Sequence, residues 1–370
     1  MKRSFDVCVI GGGIIGMSAA MELARAGIRV CLLERGRLGR EASWAAAGVL
    51  TPIHLSVYPA SLKLLAELST KMYAGFVRRV RALSGIDPEL ARTGALCVIR
   101  NDAEEREAGK IIAYRRDRGG AFLRLDAKET RRAEPALAVE ELRGSLLLPD
   151  VMQVRNNRLC RGLAKAIRRL RVEVREGTPC TKLEIRRGRA AVRTSSGRVD
   201  AGEVVLAAGA WAGRLAKVDV RPARGQIVLL EGPRRLMRHI ILSGPIECGG
   251  VSKDVYLVPR RDGRILLGST VERVGFDKSV TVDAMEFLAR QAVRLMPRAA
   301  RLRMAGAWAG LRPEGARRVP IIGRLPQASN LIAATGHFRN GILLAPATAA
   351  LVTHLATGAR AALDPAPYAP

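Results

Sequence analysis

The sequence predicts an α/β fold that opens on a dinucleotide-binding strand–turn–helix unit. Three observations carry this. Phe5-Asp6-Val7-Cys8-Val9-Ile10 is a short, mostly apolar β-type run. It enters Gly11-Gly12-Gly13-Ile14-Ile15-Gly16, which fits GxGxxG with Gly11, Gly13 and Gly16 in the three slots. A second apolar run, Ile28 to Leu33, stops at Glu34, 18 residues after Gly16. Gly11 allows a tight turn, Gly13 lets the backbone approach a pyrophosphate, and Gly16 lets helix and strand pack closely, with the helix N-terminus facing the phosphate charge. A carboxylate at the end of the second strand can bond ribose hydroxyls.

Between the two strands, Met17 to Gly27 reads as an Ala- and Leu-rich helix with Gly27 as its stop. Glu41 to Leu50 is dense in small residues, which lets a backbone lie flat against a large planar group or pack as an ordinary helix. Ser61 to Leu83 has helical apolar spacing and is broken by Ser84-Gly85-Ile86-Asp87-Pro88. Thr93–Ile99 is expected as a strand, 103–118 and 126–133 as helices, 144–148 as a strand and 157–170 as an amphipathic helix. Strands follow at 171–174, 180–185, 190–194 and 198–199, with Gly188 marking a hairpin. Glu203 to Trp211 is a buried strand ending in small residues, and 225–230, 255–258 and 265–267 suit a second sheet roofing a pocket. Val282 to Met296 is a helix stopped by Pro297; Leu331 to Ala334 is a short strand, and Ala347 to Thr357 a closing helix.

A chain of 370 residues is ample for a large core and suggests about two domains. Lys and Arg total 62 against 34 Asp and Glu, a net charge of +28. The basic clusters, such as Arg78-Arg79-Arg81 and Arg168-Arg169-Arg171, are scattered and are not interleaved with aromatics. Weak, salt-sensitive adsorption to polyanions is therefore expected in place of specific nucleic-acid binding. The six cysteines show no CxxC and no metal spacing, so no metal site is expected and a reducing compartment is the simpler inference. Lys2 and Arg3 before an apolar stretch mimic a signal peptide, but Asp6 interrupts the stretch and cleavage would destroy the nucleotide unit. No segment reads as the ~20 apolar residues of a membrane span, and a cytoplasmic location is expected.

Four blocks, VIGGGIIG (9–16), EASWAAAGVL (41–50), AWAGLRP (307–313) and GHFRNGILLAPATA (336–349), resemble FAD-dependent amine oxidases of the D-amino-acid oxidase superfamily. Within it the chain is most similar to the glycine oxidases of bacterial thiamine biosynthesis. The resemblance implies a Rossmann-type FAD-binding domain from 1–83, 140–215 and 305–370, interleaved with an α+β substrate domain on an antiparallel sheet from 84–139 and 216–304. It implies that Ile14 and Ile15 meet the pyrophosphate, that Glu34 and Arg35 hold the adenosine ribose region, and that Cys180 meets the adenine through its backbone. Ala42, Ser43, Ala47, Gly48 and Val49 would line the flavin and its linker. His337, Phe338, Arg339, Asn340, Gly341, Ile342 and Leu343 would wrap the pyrimidine end. A helix starting after Gly341 would turn its positive end toward that ring.

For the substrate, the resemblance assigns carboxylate binding to Arg312 and Tyr256, and places Arg339 beside the pocket. A planar guanidinium suits a carboxylate because it can bind it bidentately. Val271, Asp254 and Arg155 depart from the family's usual residues, which touches substrate choice or domain contacts more than chemistry. The activity implied is oxidation of glycine, sarcosine or D-alanine, with hydride transfer to the flavin and reoxidation by O2; a homo-oligomer is expected. The alternatives are a D-amino-acid oxidase or a quinone-linked amino-acid dehydrogenase of the same fold, and a tRNA-associated FAD oxidoreductase.

Overall fold

A computed structural model describes residues 5–51, 58–186, 188–248 and 251–370, with side chains at all of these except 245–248 and 251–254. The first sheet is built around β1 (Phe5–Ile10), which pairs in parallel with β2 (Val30–Leu33) on one side and with β12 (Gly197–Leu206) on the other. Its order is β10 (Cys180–Arg186), β11 (Arg189–Thr194), β12, β1, β2 and β9 (Glu173–Arg175). At the far end of β12, β19 (Ala328–Thr335) runs parallel to it and carries β18 (Ile321–Leu325) antiparallel. Alternation along β1 explains the two layers. Val7 and Val9 face a core of helices, while Cys8 and Ile10 face the layer of β10 and β11.

The helical layer holds α1 (Ile14–Arg25), α3 (Ala60–Ser84), α6 (Asn156–Arg169) and α8 (Gly341–Thr357), with the single-turn α2 (Ala42–Ala45) beside it. The second sheet has the order β17 (Arg303–Gly315), β13 (Val220–Glu231), β16 (Arg264–Gly268), β15 (Val251–Pro259), β14 (Ile240–Cys248), β5 (Ala95–Ile99), β7 (Gly144–Leu148) and β6 (Leu123–Leu125). Its pairs are antiparallel apart from β14 with β5. Residues of α7 (Val282–Leu295) cover one face and residues of α4 (Asp102–Asp117) the other. A small third sheet, β3 (Val49–Leu50), β8 (Met152–Gln153) and β4 (Ala91–Arg92), joins the two halves. The short α5 (Ala127–Ala133) is closed by a capping box between Asp126 and Glu129.

Several expectations shift. β12 is one strand of ten residues, where the sequence suggested two pieces; its start pairs with β11 and its end with β1. β14 was not anticipated, and β17, left unassigned, is the longest strand described. β7, placed with the FAD-binding segment 140–215, pairs with β5, and β17, placed mostly with 305–370, pairs along its length with β13.

The stretch Phe338–Thr357, which includes α8, is long and apolar enough by length and composition to cross a membrane, contrary to the sequence expectation. In the fold 61% of its apolar window is buried, against α1 and α3. Pro346 lies inside α8 and cannot donate to the carbonyl of Ile342. The Tyr73 hydroxyl donates to that carbonyl at 3.0 Å instead. Ser69 Oγ likewise donates to the carbonyl of Leu343 and accepts from the N–H of Ala347. Two side chains of α3 thus complete the first turns of α8.

Candidate active site

A cleft of about 500 Å³ runs from the β1–α1 turn, across residues 42–49 and the start of α8, to the second sheet at β13, β15 and β17. At its nucleotide end Gly11 has φ +108°, and a Cβ there would lie 2.4 Å from the Ala207 carbonyl oxygen, so only glycine fits. Gly13 caps α1 with extended backbone, leaving the first turn's N–H groups toward the cleft. Ile14 N–H is bonded to Ser43 Oγ at 2.8 Å, which ties the residue 42–49 shelf to the helix end. Both carboxylate oxygens of Glu34 accept backbone N–H bonds, from Gly12 at 2.6 Å and Gly36 at 2.8 Å. Each oxygen keeps a second lone pair for a ribose hydroxyl.

Arg35 lies 3.5 Å over the Trp211 ring and pairs with Glu41, which also binds Lys278 of the second domain. Phe276 stacks on the same tryptophan, with centroids 5.4 Å apart. Cys180 lines the cleft, and burial pushes its thiol up to about 11, so it stays protonated.

The shelf is pinned from behind. Asn156 Nδ2 donates to the carbonyls of Ser43 and Trp44, Trp308 Nε1 donates to Ala45 O, and Arg260 donates to Ala47 O. Gly310 of β17 sits so close that a Cβ would fall 2.6 Å from the Ala45 methyl. Arg155 bridges Glu89 and Asp262 across the two halves. Val271 is half-buried, and Asp254 lies outside the described side chains.

At the other end, Gly341 and Ile342 bring the α8 N-terminus to the cleft. His337 is 3% exposed, and burial pushes its imidazole down to about 3, so it is neutral; Nε2 lies 3.0 Å from Thr348 Oγ1. Phe338 carries Arg339 above its ring at 5.5 Å. Arg339 and Asn340 also line the cleft.

Arg312 and Tyr256 reach the same cleft from β17 and β15. The Arg312 guanidinium lies flat over Gly225, where a Cβ would be 2.1 Å from its Cζ. It donates to the carbonyls of Arg224 and Thr270 at 3.3 and 2.9 Å and to Ser269 Oγ at 2.7 Å. Tyr256 packs its hydroxyl over Gly268. The structure thus brings together the expected site residues except Gly16 and Leu343. Gly16 backs the Gly11 carbonyl, and Leu343 is in the core beside Ser69. Sequence reasoning missed Gly225, Ser269 and the aromatic pair Trp211–Phe276. The position of Ser269 just after a strand was the only available signal.

The arrangement suits FAD. A helix N-terminus and the Glu34 carboxylate lie at one end, a small-residue shelf in the middle and a second helix N-terminus at the other end. The chain belongs to the FAD-dependent oxidoreductase family, whose model matches residues 6–355. Its cofactor is FAD. Within that family it is similar to the glycine oxidase of Pseudomonas putida, at 37% identity over 374 residues covering 99% of this chain and 98% of that protein. The bifunctional protein ThiO/ThiG of Trichormus variabilis is 33% identical over 348 residues, which span 94% of this chain and 52% of that protein. Among solved structures, glycine oxidase from Geobacillus kaustophilus superimposes with a TM-score of 0.93 at 30% identity, covering 100% of this chain and 98% of that one.

Proposed function

We propose that this protein oxidises glycine and other small amino acids such as sarcosine and D-alanine. O2 is the final acceptor and yields hydrogen peroxide, and the imino acid feeds thiazole assembly in thiamine synthesis. The observation that carries the reading is the placement of Arg312 and Tyr256 on one wall of the cleft whose other walls are the FAD-holding elements. Bound FAD supplies a ring that accepts a hydride equivalent.

The chain's own residues bind and orient. The Arg312 guanidinium and the Tyr256 hydroxyl take the substrate carboxylate and so fix the α-carbon at one height in the cleft. The amine must be neutral for its lone pair to form the imine as the hydride leaves. No side-chain base is needed for that step, and His337, uncharged and directed to Thr348, is not one. The α8 N-terminus directs positive dipole into the cleft, which favours negative charge developing there. We also infer a cytoplasmic homo-oligomer.

The test is anaerobic mixing of the FAD-loaded protein with glycine, sarcosine and D-alanine, followed by admission of air. Loss of flavin absorbance and peroxide formation are expected; no bleaching with any of the three overturns the reading. Faster turnover with an artificial electron acceptor than with O2 would instead favour the dehydrogenase alternative. Arg312→Ala should raise KM about 10- to 100-fold, the loss of one charged hydrogen-bonded contact, with a smaller change in kcat.

A further inference from the structure

We propose that Ser269 is a third member of the carboxylate grip. Its hydroxyl oxygen holds Arg312 in place, and its hydroxyl hydrogen is donated to the substrate carboxylate. The proposal rests on the reading of Arg312 and Tyr256 as carboxylate ligands, and it concerns a residue that this reading does not assign.

The argument starts from the backbone between Gly268 and Glu272. This stretch leaves β16 and runs back along β13 as a hydrogen-bonded rail. Gln226 N–H donates to Thr270 Oγ1 at 3.0 Å, and Arg224 and Glu272 exchange both backbone bonds at 2.8 and 2.9 Å. Glu272 is further tied to the buried Arg224 side chain, which also pairs with Asp277. The rail is therefore fixed by groups that lie outside the cleft.

Three consecutive residues of the rail meet the two expected carboxylate ligands. Gly268 leaves room for the Tyr256 hydroxyl, since a Cβ at 268 would lie 2.6 Å from it. Ser269 Oγ accepts from Arg312 Nη2 at 2.7 Å, and Thr270 O accepts from Arg312 Nη1 at 2.9 Å. One short, rigid segment thus sets the spacing between the phenol and the guanidinium.

Ser269 is 4% exposed and lines the cleft beside both ligands. A hydroxyl offers two acceptor lone pairs and one donor hydrogen. Arg312 occupies an acceptor position, which orients the oxygen. Among the described residues no acceptor takes the hydrogen. The hydrogen is therefore free to point into the cleft, and a carboxylate held by Arg312 and Tyr256 brings an acceptor to it.

The test uses the FAD-loaded full-length protein and acetate, a carboxylate with no oxidisable amine, titrated against the flavin absorbance spectrum. For Ser269→Ala we expect the acetate Kd and the glycine KM to rise about tenfold, with kcat within twofold of wild type and FAD content unchanged. Ser269→Thr, which keeps the hydroxyl, should bring the acetate Kd back to within threefold of wild type. An acetate Kd for Ser269→Ala within twofold of wild type overturns the proposal, as does an equal loss in the Thr and Ala variants at normal FAD content. A wild type that reduces flavin with glycine yet matches Ser269→Ala overturns this proposal alone. A wild type whose spectrum ignores acetate and whose flavin is not reduced by glycine overturns both it and the reading beneath it.

Discussion

His337 shows how far burial outweighs residue type. A histidine in a flavin-site block invites a proton-transfer role, yet its ring is enclosed, neutral and bonded to Thr348. Its folded pKa of about 3 lies below the unfolded value near 6.5, so the unfolded chain binds the extra proton between those values. Its contribution to stability is complete above about pH 6.5 and is lost as pH falls toward 3, at up to about 1.4 kcal/mol per pH unit. His337→Gln should flatten that part of the urea-midpoint-against-pH curve; an equally steep acid limb would count against the assignment. At this scale the sequence was legible where a residue sits in a recognisable block: Arg312 was expected at the cleft and lines it. It was silent on Gly225 and Ser269, because their roles come from contacts between strands far apart in the chain. Glu34 was read as a ribose ligand, but its two backbone bonds show that it also fixes the turn that makes the phosphate site.

Among the elements, α1 and α3 were read within three residues of their ends, because apolar periodicity and glycine stops are local signals. α8 was harder. Its start after Gly341 was expected beside the site, but the closing helix was read only from Ala347, after Pro346. The helix continues because Tyr73 supplies the hydrogen bond that the proline cannot. Tyr73→Phe leaves the Ile342 carbonyl buried without that partner and should cost about 1–3 kcal/mol, read as a lower urea midpoint. It should also weaken FAD retention, since Ile342 is at the helix end that lines the cleft. A variant with wild-type stability and retention would show the bond to be dispensable. β17 was left unassigned because Gly306, Gly310 and Pro313 interrupt the alternation that marks a strand. Gly310 lets the strand press against the shelf at Ala45, a contact visible only in three dimensions.

For the whole molecule, the net charge of +28 is spread over the surface and partly matched. Glu22, Glu41, Glu89 and Asp262 each bridge two cations. The remaining excess should produce non-specific attraction that salt removes. Sedimentation with tRNA at about 150 mM salt should therefore show no stable complex, and glycine turnover should be unaffected. A persistent complex would revive the tRNA-associated alternative. The two-sheet plan was legible through the family resemblance, which implied interleaved segments, but the points where the chain changes sheet were not. Those points depend on which edge a strand finds, and β7 and β17 found the second sheet.

That repeated passage between sheets limits how such a protein can be altered. No continuous stretch of sequence contains either half, so a new specificity cannot be acquired by grafting a module from elsewhere. It has to accumulate through single replacements along the strands facing the cleft, each tested at once against the integrity of the entire chain.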